Sequence, residues 1–263
     1  MHQARCVATL SLLVSLFAVV PAARAADAAQ PQSSVSVGAG VAYLPEYAGA
    51  DNSRAVPLFS YDYANKNGLF ASTSHGIGYQ NALGPFRVSA ALGFDGGRKE
   101  SGGRYRNGSD TLRGMGDVAG TALAKLGIGY DFGFLSVGVE ASLALGNRKR
   151  GNNFQLAVGV PLLKTANDQV SLFGSADYGD NRYMQTYYGV TALQSSRSQF
   201  RVYSARAGFD KLGLGASWNH KLSDQWSFQA MGGVFDMVGD ARNSPLTKRR
   251  STPMIATSFQ YSY

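Results

Sequence analysis

From about residue 35 onward, apolar side chains fall at every second position of the chain. In the stretch 134–146, "FLSVGVEASLALG", Leu135, Val137, Val139, Ala141, Leu143 and Leu145 take one side, and Ser136, Gly138, Glu140, Ser142 and Ala144 take the other. A strand, with its period of two, separates these sets; a helix scatters them. The same split recurs at 35–43, 86–95, 118–130, 153–162 and 212–219. It predicts strands near 35–43, 55–63, 85–95, 117–130, 133–145, 153–162, 169–179, 200–209, 212–221, 225–236 and 254–263. The region 68–82 must supply at least one more, making about twelve, within a range of ten to fourteen. Splitting 68–82 at His75-Gly76 and counting 183–190 as a strand gives fourteen.

These strands run to roughly 9–13 residues, longer than the ~5–6 usual in soluble sheets and suited to a tilted bilayer crossing. No amphipathic helical period separates them, which excludes a βαβ architecture. Connections alternate in length. Asn65-Lys-Asn-Gly68, Asp131-Phe-Gly133, Thr165-Ala-Asn-Asp168 and Leu222-Ser-Asp-Gln225 read as tight turns, whereas 97–116, 180–199 and 237–252 are long and polar. Short turns at one end and long loops at the other are the pattern of outer-membrane barrels. A soluble sandwich also alternates, but buries its apolar face against another. Here the polar faces carry Arg87, Lys125, Glu140, Asp177, Arg206 and Lys221 among glycine and serine. Such charges suit an aqueous lining, since on the lipid face near the midplane each costs ~2–4 kcal/mol. Arg87, Lys125, Glu140, Arg206 and Lys221 are therefore candidate barrel-interior charges. The expected fold is all-β: a transmembrane antiparallel β-barrel over residues 35–263, closed by the C-terminal strand.

Composition adds a compartment. "MHQAR" is a short basic start, 6–20 is apolar, Pro21 breaks the run, and Ala23-Arg24-Ala25 has the small-x-small form of a signal-peptide cleavage site. Residues 1–25 are expected to be a cleaved signal peptide and 26–34 a short periplasmic segment. Cys6, the sole cysteine, lies in the leader, so the mature chain has neither disulfide nor thiolate metal site. Of 25 basic residues Arg5 and Arg24 also lie there, leaving 23 against 17 acidic, or +6. The basic residues cluster at 98–113, 148–150 and 248–250. For an exported strand protein the fitting partner is outer-membrane lipid, with the phosphates of lipopolysaccharide, rather than nucleic acid.

Candidate chemistry is sparse. After the leader only His75 and His220 remain. His75 lies in "STSHG", but on an extended chain Ser72 and Ser74 point away from it. Two distant histidines without cysteine give no metal-ligand spacing. No cofactor is expected, and the chain reads as a non-enzyme. Trp218 and Trp226 flank a turn, and Tyr43, Tyr61, Tyr63, Tyr130 and Tyr178 lie near strand ends, as interfacial aromatics do. The final stretch alternates too. Phe259, Tyr261 and Tyr263 are expected to face outward and to form an assembly signal for the barrel-insertion machinery. Tyr183, Met184, Gln185, Tyr187, Tyr188 and Gly189 carry too much aromatic area for a solvated loop. They form either a plug or binding surface at the barrel mouth, or another strand.

Three segments, Pro45-Glu-Tyr-Ala-Gly-Ala-Asp51, Leu112-Arg-Gly-Met-Gly-Asp117 and "NRYMQTYYGVTALQSSRS" at 181–198, resemble the MipA/OmpV family of outer-membrane proteins. Tyr188 stands where that family more often has phenylalanine. The resemblance spans essentially all of 35–263. It implies a monomeric barrel without catalytic residues, a scaffold linking a lytic transglycosylase to a penicillin-binding protein. A narrow channel for small polar solutes and a surface adhesin are the alternatives.

Overall fold

The structure, a computed structural model, describes residues 33–103, 107–147 and 150–263. The expected signal peptide and most of the segment after it lie outside the described residues. Twelve strands form one closed antiparallel barrel, each paired with its sequence neighbours and the last with the first. They are β1 Ser34–Pro45, β2 Ser53–Ala64, β3 Leu69–Ser72, β4 Gly76–Leu83, β5 Phe86–Asp95, β6 Thr121–Asp131, β7 Ser136–Ala144, β8 Asn153–Lys164, β9 Asp168–Gly179, β10 Gly208–Lys221, β11 Trp226–Met237 and β12 Ser251–Ser262. Closure runs from Ser36 opposite Ser262 to Tyr43 opposite Ile255, which removes the free edges an open sheet would leave.

The alternation of the sequence becomes the two faces of the wall. Val41, Phe59, Leu92, Leu126, Val139, Leu156, Leu214, Ile255 and Phe259 all stand exposed on the outside. In water such a belt would be an aggregation hazard; in a bilayer it is the lipid-facing surface. Aromatic residues ring its short-turn end. Phe86 meets Tyr130 edge-on at 4.7 Å, Trp226 meets Tyr261 at 5.1 Å, and Tyr261 meets Tyr263 at 4.8 Å. Among the described residues no helix is long and apolar enough to cross a membrane, so the crossings are made by strands.

Two expectations need correction. Residues 200–207 are not a strand: they belong to the connection before β10 and touch the ladder pattern only through one bridge, Val190 to Tyr203. Burial there does not follow a period of two: Phe200 and Ala205, five residues apart, enter two different apolar clusters. Instead 68–82 provides two strands, parted at 73–75, so the total stays at twelve. Residues 183–190, whose reading as a strand led to fourteen, are mostly helical. Among the described residues three α-helices lie in the long connections: α1 Asn181–Tyr188, α2 Ala192–Arg197 and α3 Gly239–Asn243.

The wall is uneven. β3 has four residues and meets β2 only from Asp62 opposite Ser72 to Ala64 opposite Phe70. Above Tyr61, among the described residues, no strand pairs β2 on that side. Thr73 N–H donates to the Tyr61 carbonyl, so odd-numbered β2 residues turn their backbone groups this way. Pro57 is one of them, and its lack of an N–H leaves one donor fewer on the unpaired edge.

Candidate functional site at the barrel mouth

The described residues of the connections 46–52, 96–103, 107–120, 180–207 and 238–250 gather at one end of the barrel and build a cap with its own apolar cores. Tyr47, Ala50, Leu112, Met115, Val190, Phe200 and Leu246 form one. Tyr183, Met184, Tyr187, Tyr188, Ala205, Met237 and Ala241 form the other. The second centres on α1. Asp180 caps that helix, its Oδ1 accepting from Tyr183 N–H at 2.8 Å. Burying 183, 184, 187 and 188 is the i, i+1, i+4, i+5 pattern of a helix face turned inward. Gly151, at φ +79°, lies so close under the first turn that a Cβ there would collide with the Tyr183 amide. Next, α2 opens with a capping box in which the Thr191 side chain and Gln194 serve each other's backbone amides.

Charge fixes α1 in place. Arg98 donates from Nη1 to the Tyr187 carbonyl at 2.7 Å, and its guanidinium lies 5.7 Å from the Tyr187 ring centre. Arg150 lies 5.4 Å from the same centre and pairs with Asp95. The Tyr188 hydroxyl donates to Asp210 at 2.6 Å, and Lys211 reaches Asp210 at 3.7 Å and Asp177 at 3.9 Å. Ser244 donates to the Tyr188 carbonyl at 2.6 Å. Burial raises the Tyr183, Tyr187 and Tyr188 phenols well above their ordinary value, so they remain neutral. The same burial pulls the Arg98 guanidinium down. Tyr47, whose hydroxyl donates to the Leu246 carbonyl at 3.0 Å, is raised to about 12, mainly by burial and then by Asp51. Between these groups remains a cavity of about 40 Å³, lined by Tyr47, Arg98, Tyr183, Tyr187, Tyr188 and Lys211 among others. That is room for a few waters.

The segment singled out in the sequence is thus brought together here: Tyr183, Met184, Tyr187 and Tyr188 are buried, Gln185 caps the Ala205 amide at 3.0 Å, and Gly189 ends the helix. The interior charges fare unequally. Lys125 and Glu140 face each other across the lumen wall at 3.0 Å, with His75 3.8 Å from Glu140. Arg87 and Lys221 sit at the short-turn end, paired with Asp131 at 3.2 Å and Asp224 at 2.7 Å. Arg206 is not in the wall. It is exposed in the connection before β10, where its amide donates to Asp240. Ser72 and Ser74 hydrogen-bond each other at 3.0 Å, and Ser72 donates to Asp62 at 2.6 Å. His220 pairs with Asp168 at 2.7 Å near the Leu222–Gln225 turn. Phe259, Tyr261 and Tyr263 lie on β12 and beyond its end, in the aromatic ring. Sequence reasoning missed Asp95, Arg98, Arg150, Asp210 and Lys211 as plug supports. No local spacing marks them, because they come from three separate parts of the chain, at 95–98, 150 and 210–211.

A closed twelve-strand barrel with an apolar outer belt, aromatic girdle and long-loop cap defines an integral outer-membrane protein. The sequence matches the family described as MltA-interacting protein MipA over residues 37–263. The chain belongs to that family, and its strands sit in the bacterial outer membrane. No curated protein matches the sequence. Among solved structures it is similar to a KdgM porin, at 8% identity, covering 87% of this chain and 99% of that one, with a TM-score of 0.44. It is also similar to a bacterial polysaccharide outer-membrane secretin, at 11% identity, 89% and 99% coverage and a TM-score of 0.40. OmpT of Vibrio cholerae is a third, at 8% identity, 88% and 97% coverage and 0.38.

Proposed function

We propose that this chain is a closed, non-enzymatic barrel that joins a murein hydrolase and a murein synthase at the envelope. The observation that carries this reading is the plug. Helix α1 sits in the cap at the mouth, held by Arg98, Arg150 and Asp210, and the cavity it borders beside Tyr47 and Lys211 is only water-sized, about 40 Å³. A barrel of this size that holds its own mouth shut is better suited to presenting a surface than to transport. The family description, MltA-interacting protein, points to a protein partner; the resemblance noted above implies a lytic transglycosylase and a penicillin-binding protein. Docking falls to the short-turn end, where Phe132, Phe134 and Leu222 are exposed. The test is capture of a purified lytic transglycosylase by the barrel in nanodiscs. Binding that is lost when Phe132, Phe134 and Leu222 become serine supports the reading. Binding that survives replacement of every short turn, or no binding at all, overturns it.

The second reading, a narrow channel for small polar solutes, draws on the Lys125–Glu140 pair in the lumen. Planar-bilayer recording separates the two: the scaffold reading expects no steady current from folded barrel, and steady wild-type conductance would favour the channel.

A further inference from the structure

The cap carries a second feature, a cluster of cations that take no part in holding the plug. Arg201, Arg242, Lys248, Arg249 and Arg250, with Asn243, Ser244, Pro245 and Thr247, line an open bowl of about 870 Å³. No carboxylate lines it. All five cations are exposed, and among the described residues none forms an ion pair. The Lys248 ammonium lies 5.0 Å from the centre of the Phe200 ring. Crowding like charges is unfavourable unless an anion joins them.

The bowl is also rigid where loops are usually loose. Lys248 and Arg249 both donate backbone N–H to the Gly49 carbonyl, at 2.8 and 3.0 Å. The Arg250 carbonyl accepts from Met237 at 2.7 Å, and the Thr247 hydroxyl donates to the Ala241 carbonyl at 2.6 Å. Leu246 beneath is fully buried. Guanidinium groups gathered on a fixed backbone suit phosphate, which accepts paired N–H donors.

On the other side of α3 lies a mainly apolar groove of about 550 Å³, lined by Arg206, Ala207, Gly208, Phe209, Leu212, Val238, Gly239 and Asp240. Phe209 and Leu212 belong to the exposed outer wall of β10. Residues 239 and 240 line the groove and 242 and 243 the bowl, so one short helix separates an acyl-sized surface on the wall from a cluster of phosphate-sized donors.

We infer that α3 and the 247–250 segment form a binding site for a phosphorylated outer-leaflet glycolipid, its acyl chains along Phe209 and Leu212 and its phosphates in the bowl. Its floor meets the plug through Ser244, which donates to the Tyr188 carbonyl, while its cations face away from it into the bowl.

The test uses the full barrel in detergent micelles, with bisphosphorylated lipid A, its dephosphorylated form and free tripolyphosphate as probes. Bound lipid is read by native mass spectrometry. The variant is R201Q/R242Q/R249Q/R250Q, with R113Q as a charge control and heat-modified gel mobility as the check on folding. Wild type and R113Q are expected to retain bisphosphorylated lipid A alike, and the quadruple variant to retain about tenfold less or lower. Leu212→Ser should weaken the lipid while leaving tripolyphosphate unaffected. Equal retention by the folded quadruple variant overturns the site, as does equal retention of the dephosphorylated lipid. Tripolyphosphate that binds as tightly as the lipid overturns the lipid assignment.

Discussion

Arg98, Arg150 and Lys211 lie beneath the plug, each answered by a carboxylate, a carbonyl or a tyrosine ring. Arg201, Arg242, Arg249 and Arg250 stand on the rim of the same cap with no carboxylate beside them. The difference separates two uses of positive charge. A buried cation is tolerated only when paired, and once paired it locks its surroundings, because loss of either partner strands the other. A hydrated cation on the rim costs little alone, holds nothing together, and is available to something from outside.

The contrast can be broken at its strong side first. Arg150→Met should strand Asp95 and cost about 3–5 kcal/mol, read as earlier denaturant unfolding of the cap and as new protease cleavage between Tyr183 and Gly189 on intact cells. Wild-type resistance at that segment is the reference; equal resistance in the variant would mean that α1 is held by packing alone. Tyr188→Phe should cost about 1–3 kcal/mol, because buried Asp210 loses its close hydroxyl donor and keeps only the longer contact to Lys211. Asp180→Ala removes the helix cap and should cost about 1 kcal/mol by the same denaturation assay.

Alkaline titration sharpens the comparison without a mutation. Tyr47 has a folded value of about 12 against an unfolded value near ~10. Its neutral form is therefore favoured by folding, and its contribution is complete below the unfolded value and lost as pH rises from about 10 to 12. Phenolate absorbance should show this tyrosine ionising late, together with opening of the cap; ionisation near 10 with the cap closed would contradict its burial. Smallest of all is Arg249→Gln, expected to leave stability within about ±0.5 kcal/mol. A loss beyond about 1 kcal/mol would show that the rim cations are structural and dissolve the contrast.

The barrel was legible because lipid on one face and water on the other force a period of two on every crossing. The same rule misled at 200–209, where Phe200 and Ala205, five residues apart, are buried in two different cores of the cap rather than on one face of a strand. In 183–188 the aromatic content announced a buried segment, while its helical form was carried by two signals that alternation masks: Asp180 as a cap and the paired spacing 183/184, 187/188. The ion pairs that hold it were not legible. Asp95 and Arg150 are 55 residues apart by number (150 − 95), and only closure of the barrel brings them together.

The short hairpin of β3 and β4 gives the molecule a membrane-mechanical asymmetry. A twelve-residue strand is roughly 40 Å long and four residues only about 13 Å. Lipids on the β3 flank therefore meet a hydrophobic wall far lower than lipids opposite, and a bilayer answers such mismatch by thinning locally or by tilting its guest. The barrel would stand in the membrane like a tower with one collapsed course of masonry, drawing outer-leaflet headgroups down towards the polar cluster of Asp62, Ser72 and Ser74 just inside.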